Sequence, residues 1–274
     1  MTRITILILI SIVCLFACKK SKDGVVETLH SGNSSMIYPV ALGNEWRYIT
    51  SVSFNSVAFS YSFNDYSINR FDSITNFSTG DSVYALVCYD SSNTGIFHYT
   101  SFYKVQYNGL FFYAYYNAGS RVFLRQPGIK NGNELFAPYR TGLTGRSFEK
   151  NSLIDSLIIE PTPLSVIQYP RVIDQIWTYR DYHNPFYVGK VYKGDEVVIT
   201  SAGTYNCGKF ELLYDNNEDH IIDSNIHITQ YISPTKGLIK ETESITGSTY
   251  IDSLGNPVDT GTYIQTSILT SINF

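Results

Sequence analysis

The chain has 274 residues, with 20 lysines and arginines against 24 aspartates and glutamates and a formal net charge of −4. A nucleic-acid-binding protein normally carries a basic stripe, so this balance argues against that class of partner. Tyrosine (23) and phenylalanine (16) are abundant whereas methionine occurs only 2 times, and the chain is rich in Thr, Ile and Val, which favour pleated, half-buried surfaces. We therefore predict an all-β protein with room for one large domain or two small ones.

Residues 1–17 are predicted to be a secretion signal. Arg3 supplies a positive charge, and residues 4–16 form an apolar run of 13, short of the ~20 residues that span a bilayer. The sequence Leu15-Phe16-Ala17-Cys18 resembles the lipobox of bacterial lipoproteins, in which a cysteine after a small residue is acylated and becomes the new N-terminus. Phe16 departs from that pattern, where a smaller residue is usual. The alternative is a secretory signal with a chance cysteine at its end.

This resemblance implies that Cys18 carries the lipid anchor of the mature protein. Cys14 fits less well because the residue before it is not small. Two or three acyl chains would hold the protein at the membrane, since each buried methylene contributes about 0.8 kcal/mol. In Gram-negative lipoproteins a residue other than Asp after the cysteine implies transport to the outer membrane, and Lys19 occupies that position. Residues 18–37 lack hydrophobic periodicity and are predicted to be a lipidated flexible tether with a span of roughly 25 Å.

Period-2 runs separated by turn residues recur from residue 38 almost to the end, which is typical of β-strands. Isoleucines alternate with other residues in 225–232 and 262–274, and we expect the isoleucine faces to be buried. Residues 109–116 are aromatic on both faces, as in a strand covered on both sides or lining a groove. Only residues 147–159 favour a short helix, and their end suits a strand as well. We predict an antiparallel β-sandwich or a curved, open barrel-like sheet.

An internal repeat suggests two related β units. Tyr38-Pro39 with Trp46 and Tyr48 aligns without a gap on Tyr169-Pro170 with Trp177 and Tyr179, each pair 131 positions apart, and these are the chain's 2 tryptophans. A duplicated module or a strand type used twice explains the match. We predict a first unit at 38–168 and a second at 169–274, which either stand apart or pack as a single domain. Alternation puts Trp and Tyr on one face, either in the core or on an aromatic platform for a sugar or peptide.

The Tyr-Pro-x-x-x-Gly-Asn-x-Trp-x-Tyr opening resembles one found after the tether in uncharacterised bacterial envelope lipoproteins. Residues 202–210 and 231–240 resemble a two-part pattern in the same group. These motifs imply a shared structure and carry no function across.

Two cysteines remain after the signal and Cys18 are set aside. Cys88 and Cys207 lie in strand-like runs, and the envelope permits disulfides. They either form a bridge or behave as small buried hydrophobes.

One loop has the spacing of a calcium site. Asp215, Asn217, Asp219 and Asp223 fall at positions 1, 3, 5 and 9 of an EF-hand-like loop, where hard oxygens could converge on Ca²⁺. His220 stands where the pattern requires glycine, and Ile226 replaces the bidentate Glu. The alternative is a polar hairpin loop, in which case the protein needs no cofactor.

Enzyme signatures such as Gly-x-Ser-x-Gly, His-Glu-x-x-His and phosphate-binding loops are absent from the sequence. We therefore predict a non-enzymatic envelope protein that binds or scaffolds a polysaccharide, peptide or protein partner. A carrier of apolar molecules, with a cavity lined by residues such as Phe111, Tyr113 and Tyr115, is the second hypothesis. A carbohydrate-active hydrolase with two carboxylates about 5 to 9.5 Å apart is the third.

Overall fold

A computed structural model describes residues 38–77, 80–92, 95–117, 128–130, 156–181, 187–215, 219–251 and 257–274. The predicted signal, Cys18 and the tether lie outside these ranges. Within them the chain forms thirteen β-strands and no helix, which confirms the all-β prediction. None of the described residues belongs to a helix of the length and hydrophobicity needed to cross a membrane.

The strands range in length from 3 to 17 residues. In chain order they are β1 (Glu45–Ser56), β2 (Ser60–Asn76), β3 (Ser82–Ser92), β4 (Gly95–Gln106), β5 (Gly109–Asn117), β6 (Gly128–Lys130), β7 (Ser156–Gln168), β8 (Ile176–Asp181), β9 (Tyr187–Thr200), β10 (Gly203–Asp215), β11 (Ile226–Ser233), β12 (Gly237–Ile251) and β13 (Pro257–Asn273). The segment that also suited a helix is strand from residue 156 onward.

One antiparallel sheet takes up all thirteen strands. Twelve follow the order β7-β5-β4-β3-β2-β1-β13-β12-β11-β10-β9-β8, and β6 pairs with β12 outside that order. The first and last long strands meet in the middle, where Trp46 of β1 lies opposite Ile272 of β13. The sheet curves into a nearly closed barrel, which is the barrel-like alternative of the prediction and not the sandwich.

Side chains join β7 and β8, the two end strands of the order. Trp177 Nε1 on β8 donates to the Ser165 carbonyl on β7 at 2.9 Å, and Arg180 Nη2 on β8 donates to Glu160 Oε1 on β7 at 2.7 Å. Both members of this ion pair are buried, so removing either side chain would destabilise the fold. These bonds hold the barrel together where its ends meet.

The predicted boundary at residue 168 falls between β7 and β8. Residues 38–168 supply β1 to β7 and residues 169–274 supply β8 to β13, so each unit forms one continuous half of the sheet order. Trp46 and Trp177 are both the second residue of their strand, as expected if each begins a unit. The two halves contribute to one main core, and the duplication itself stays a prediction.

The buried face of β13 differs from the prediction. Tyr263 and Ser267 point inward whereas Ile264 is 40% exposed, so the expectation of a buried isoleucine face is wrong for this part of the strand. Beyond a shift in register, Ile272 lies opposite Trp46 and does pack against the main core. The register explains the difference, because Tyr263 lies opposite Phe54 and Ser267 opposite Thr50 on β1. Directly paired residues of antiparallel strands point to the same side of a sheet. The inward residues of β1 therefore decide which face of β13 is buried.

Strand β5 is covered on both faces, as its aromatic sequence predicts. Phe112 and Tyr115 belong to the main core, whereas Tyr113 packs in a second, smaller core. A register irregularity against β7 between Phe112 and Ala114 shifts the strand from one alternation to the other. The expected cavity lining of Phe111, Tyr113 and Tyr115 is therefore wrong as a set, because Tyr113 and Tyr115 face different cores.

Candidate functional site

The aromatic pair on β1 is buried and holds a turn in place. Trp46 Nε1 donates to the Lys236 carbonyl at 2.6 Å, and Tyr48 OH donates to the carbonyl two residues further on at 2.9 Å. The turn connects β11 to β12 through Gly237, whose φ is +80°. A Cβ at Gly237 would lie 2.9 Å from the hydroxyl of Tyr38. Glycine thus permits both the backbone conformation and the close approach of the rings.

The second aromatic pair, Trp177 and Tyr179 on β8, is buried as well. Trp177 bonds to β7 across the seam of the barrel. Burial raises the pKa of Tyr179 to about 12. The structure places all four aromatic residues in the core and not on a solvent-facing platform.

The two patterns that resemble those of envelope lipoproteins also have structural roles. Residues 231–240 contain the turn that Trp46 holds. Residues 202–210 begin β10, where a Cβ at Gly208 would lie 2.7 Å from Arg171 Nη1. Arg171 donates to Asp195 at 2.7 Å and stacks over the Tyr192 ring at 4.9 Å. Close packing accounts for Gly208 and Gly237 in these patterns.

Three polar side chains are hydrogen-bonded in a row inside the barrel. Lys190 Nζ on β9 donates to Gln230 Oε1 on β11 at 2.6 Å, and Gln230 Nε2 donates to Glu241 Oε2 on β12 at 2.6 Å. All three side chains are buried. Because unpaired polar groups inside a protein are costly, this pairing ties the three strands to one relative position.

Burial sets the protonation of Lys190. Its pKa is lowered to about 7, chiefly because burial disfavours the charged form, while Glu241 acts in the opposite direction. The amino group lies 5.6 Å from the ring centre of Tyr179 and 5.4 Å from that of Phe210, positions in which an aromatic face stabilises a cation. A lysine near neutrality can act as a base or nucleophile, but here Gln230 and the surrounding core occupy it.

The polar interior continues onto β12 and β13. Glu241 and Glu243 are both buried, and two residues apart on a strand they point to the same side. On the neighbouring strand β13, Tyr263 OH donates to Gln265 Oε1 at 2.6 Å. A glycosidase also uses two carboxylates, but it needs them exposed to substrate and water, whereas Glu241 and Glu243 are both buried.

The sequence indicates this polar interior through polar residues that share the alternation of buried apolar ones. On β11 the predicted face with Ile226 and Ile228 is buried, which confirms that prediction, and Gln230 continues the same face. Lys190 likewise shares the inward alternation of Val188 on β9. Such polar residues can be recognised in the sequence only once the buried face of each strand is known.

In the predicted calcium loop, two aspartate side chains accept hydrogen bonds from backbone N–H groups of the loop itself. Asp215 Oδ2 accepts the His220 N–H at 2.9 Å, and Asp219 Oδ1 accepts the N–H two residues further on at 2.8 Å. Asn217 lies outside the described residues, as do 216 and 218. Among the side chains that the structure describes, no group of three or more His, Cys, Asp or Glu is arranged to hold a metal ion. Calcium binding by Asp215, Asn217, Asp219 and Asp223 stays a prediction.

The disulfide considered for Cys88 and Cys207 is not formed in this structure. Both residues are buried thiols, on β3 and β10, with five strands between them in the sheet order. Each is packed in the main core, which fits the alternative of small buried hydrophobes.

No family model matches the chain, and no curated protein matches it. Among solved structures, a "putative lipoprotein" from Parabacteroides distasonis is 13% identical with a TM-score of 0.37, over 88% of this chain and 100% of that one. A "putative exported protein with YmcC-like fold" from Bacteroides fragilis is 11% identical with a TM-score of 0.38 over the same shares, 88% and 100%. A DUF1329 family protein from Desulfovibrio piger is 9% identical with a TM-score of 0.25, over 85% and 86%. TM-scores this low carry no argument about fold or function.

Proposed function

We propose that the chain is a non-enzymatic, lipid-anchored protein of the cell envelope that binds or scaffolds a polysaccharide or protein partner with the outside of its barrel. The observation that supports this proposal is the state of the interior. Among its buried ionisable side chains, Lys190 is linked to Glu241 through Gln230, and Arg180 is paired with Glu160. Groups so placed stabilise the fold, which leaves the outer surface as the part that meets other molecules.

The same interior argues against the two alternatives. A carrier of apolar molecules needs an open apolar cavity, whereas the inward apolar side chains here pack against one another in one main core, and Gln230, Gln265 and Ser267 are buried as well. A glycosidase needs its carboxylates in contact with substrate and water, whereas Glu241 and Glu243 are buried. Binding on the outer face requires neither an apolar cavity nor exposed carboxylates.

Fatty-acid labelling tests the anchor. Cells that express the full chain are fed an alkyne-bearing fatty acid, and incorporation is compared between wild type, Cys18→Ser and Cys14→Ser. We expect Cys18→Ser to abolish labelling and Cys14→Ser, the matched control, to retain it. Fractionation should find wild type in the outer membrane and Lys19→Asp in the inner membrane. Labelling that persists in Cys18→Ser would rule out the anchor.

Thermal unfolding of the full chain tests the kind of ligand. A ligand at 100 times its Kd stabilises the folded state by about 2.7 kcal/mol, so envelope polysaccharide fragments, fatty acids and phospholipids are compared for their effect on Tm. We expect a shift with polysaccharide and none with apolar ligands. Release of new reducing ends that disappears in Glu243→Gln would instead identify a hydrolase.

The same unfolding assay tests the predicted loop. If Asp215, Asn217, Asp219 and Asp223 bind calcium, Ca²⁺ raises Tm in wild type and has no effect on Asp219→Ala. A rise that survives Asp219→Ala would exclude this loop as the site.

A further inference from the structure

Five neighbouring strands present a continuous outer face of the barrel. In the sheet order these strands are β2, β1, β13, β12 and β11. Inward side chains such as Thr50 and Phe54 on β1 are buried, so the residues that alternate with them point outward. Because directly paired residues of antiparallel strands lie on the same side of a sheet, the register arranges the outward residues in rows that run across the strands.

One of these rows crosses all five strands and contains only hydroxyl and amide side chains. Ser51 on β1 lies opposite Asn64 on β2 and opposite Thr266 on β13. Thr242 on β12 lies opposite Thr266 and, on its other side, opposite Thr229 on β11. Neighbouring strands are about 4.8 Å apart, so the row extends over about 19 Å. We call it the hydroxyl row.

Two further rows lie beyond the hydroxyl row, toward the turn that joins β1 to β2, and are almost as uniform. The nearer one consists of Ser62, Ser53, Ile264, Ser244 and His227. The farther one consists of Ser60, Asn55, Thr262 and Thr246. All of these side chains are exposed or half-buried. Together with the hydroxyl row they form what we call the hydroxyl face.

The absence of charge distinguishes the hydroxyl face from the surface beside it. Charged residues make up 16% of the chain and lie mostly at protein surfaces, so several would be expected on a face of this size. None of the residues in its three rows is Lys, Arg, Asp or Glu. Charge begins at its border, where Glu211 on β10 lies opposite Thr229. The adjoining surface of β9 and β10 also carries Lys193, Glu196 and Lys209.

An apolar row borders the hydroxyl row on the side toward the start of β1. Tyr66 on β2 lies opposite Ile49 on β1, which in turn lies opposite Ile268 on β13. Tyr66 is 58% exposed and the two isoleucines are half-buried. Lys240 on β12 ends this row, with its amino group 5.4 Å from the ring centre of Tyr231. The apolar row and the hydroxyl row are two residues apart along each strand, a distance of about 7 Å.

These two rows match the two kinds of surface that a sugar chain offers. A sugar ring has faces of C–H groups, which pack against apolar and aromatic side chains, and an edge of hydroxyl groups. Serine and threonine hydroxyls and the asparagine amide both donate and accept hydrogen bonds, as sugar hydroxyls do. Because these side chains are short, they lose little rotamer entropy when a ligand binds.

Other classes of partner fit the hydroxyl face less well. The core of a protein–protein interface is rich in aromatic and other apolar side chains, whereas Ile264, at 40% exposed, is the only large apolar residue of this face. A polyanion is bound through lysines and arginines that neutralise its charges, and the face contains neither. The chemistry of the face therefore favours a neutral polysaccharide.

We propose that a neutral polysaccharide lies across β2, β1, β13 and β12, with its sugar rings against the apolar row and its hydroxyl groups bonded to the hydroxyl row. This inference rests on the proposed function, in which a polysaccharide is one of the partners of the outer surface, and it adds the place and the class of glycan. The hydroxyl row is long enough for several sugar units, so affinity should increase with glycan length until the row is filled.

Affinity electrophoresis tests the class of ligand. The full chain, purified in a nonionic detergent, migrates through native gels that contain neutral galactomannan, neutral β-glucan or acidic polygalacturonate. We expect a neutral polymer to retard the chain and polygalacturonate to have no effect. Retardation by polygalacturonate would overturn the inference and leave the polysaccharide binding of the proposed function intact. If none of the three polymers retards the chain, the inference fails and the proposed function retains only its protein partner.

Two substitutions of similar shape test the hydroxyl row. Thr266→Val with Thr242→Val removes two hydroxyl groups and keeps side chains that favour strands, so the urea midpoint should change little. We expect the Kd for the neutral polymer to rise at least about tenfold. Thr178→Val is the matched control, because Thr178 is an exposed threonine on β8, and it should leave the Kd unchanged. Equal Kd values for the double variant and wild type would show that the polysaccharide binds elsewhere on the barrel.

The aromatic end of the apolar row provides an independent test. Tyr66→Ala should also raise the Kd, by about tenfold, whereas Tyr107→Ala, in the turn between β4 and β5, should not. An unchanged Kd in Tyr66→Ala would contradict stacking on this row. Analytical ultracentrifugation tests the remaining occupant. A wild-type dimer that Thr266→Arg converts to a monomer would show that a second copy of the chain covers the hydroxyl face, which also overturns the proposal.

Discussion

Replacing Lys190 by methionine removes a buried group whose charge changes near neutral pH. Burial lowers the lysine pKa from 10.5 to about 7 in the folded protein, whereas the unfolded chain keeps the ordinary value. Between about pH 7 and pH 10 the unfolded state therefore binds more protons than the folded state, and stability rises with pH. The stability contributed by the neutral lysine is lost as the pH falls toward 7.

The size of the effect follows from the shift. One pKa unit corresponds to about 1.4 kcal/mol, so a lowering from 10.5 to about 7 amounts to at most about 5 kcal/mol across the window. Between pH 8 and 9.5 the slope contributed by Lys190 approaches about 1.4 kcal/mol per pH unit. Methionine carries no proton, so Lys190→Met loses this slope. At pH 9.5 it is also less stable by about 1 to 3 kcal/mol, because Gln230 Oε1 loses its donor.

Urea unfolding of the two proteins from pH 7 to pH 10, followed by tryptophan fluorescence, measures both terms. Lys193→Met is the control, since Lys193 is exposed and paired with Asp174, and it should retain the wild-type slope. Above about pH 10 Tyr179 lowers stability as the pH rises, because its raised pKa of about 12 makes the folded state keep a proton that the unfolded state has lost. Identical pH dependence in wild type and Lys190→Met would refute the reasoning.

Gly237→Ala should destabilise the fold by about 1 to 3 kcal/mol, and more than Gly80→Ala, whose φ of +84° is similar but whose Cβ would meet nothing within 4 Å; urea midpoints compare them. Trp46→Phe keeps the packing and loses the indole hydrogen bond, which should cost about 1 to 2 kcal/mol at an unchanged m-value. Glu160→Ala removes the ion-pair partner of the buried Arg180 guanidinium and should cost about 3 to 5 kcal/mol, against less than about 1 kcal/mol for the exposed Arg47→Ala. Similar losses at Glu160 and Arg47 would contradict the buried seam.

Much of the fold follows from local sequence patterns. Alternation and aromatic content predict strands, and the aromatic β5 is indeed covered on both faces. The repeat of Trp46 and Trp177 predicts where each half of the sheet begins, because the match depends on residue order alone. Sandwich and barrel could not be separated in this way, since both use the same alternating strands.

The candidate site was less predictable. Lys190 and Glu241 are far apart in sequence. Gln230 joins them because β11 is paired with β12 and its side chain also reaches β9 inside the barrel. Strand alternation on β13 could not foretell that Ser267 is buried and Ile264 exposed, since the register against β1 selects the face. A one-residue change of register exchanges the two faces of a strand.

The sequence by itself determined the strand content, because alternation depends on residues close together in the chain. The boundary at residue 168 and the anchor at Cys18 come from equally local patterns and stay predictions. Only the tertiary structure decided that the sheet curves into a barrel, that polar residues fill part of its interior and that Tyr38 enters at the end carrying Phe274 and Lys236. These features depend on pairing between distant strands. Their free energy comes from contacts that no local pattern encodes.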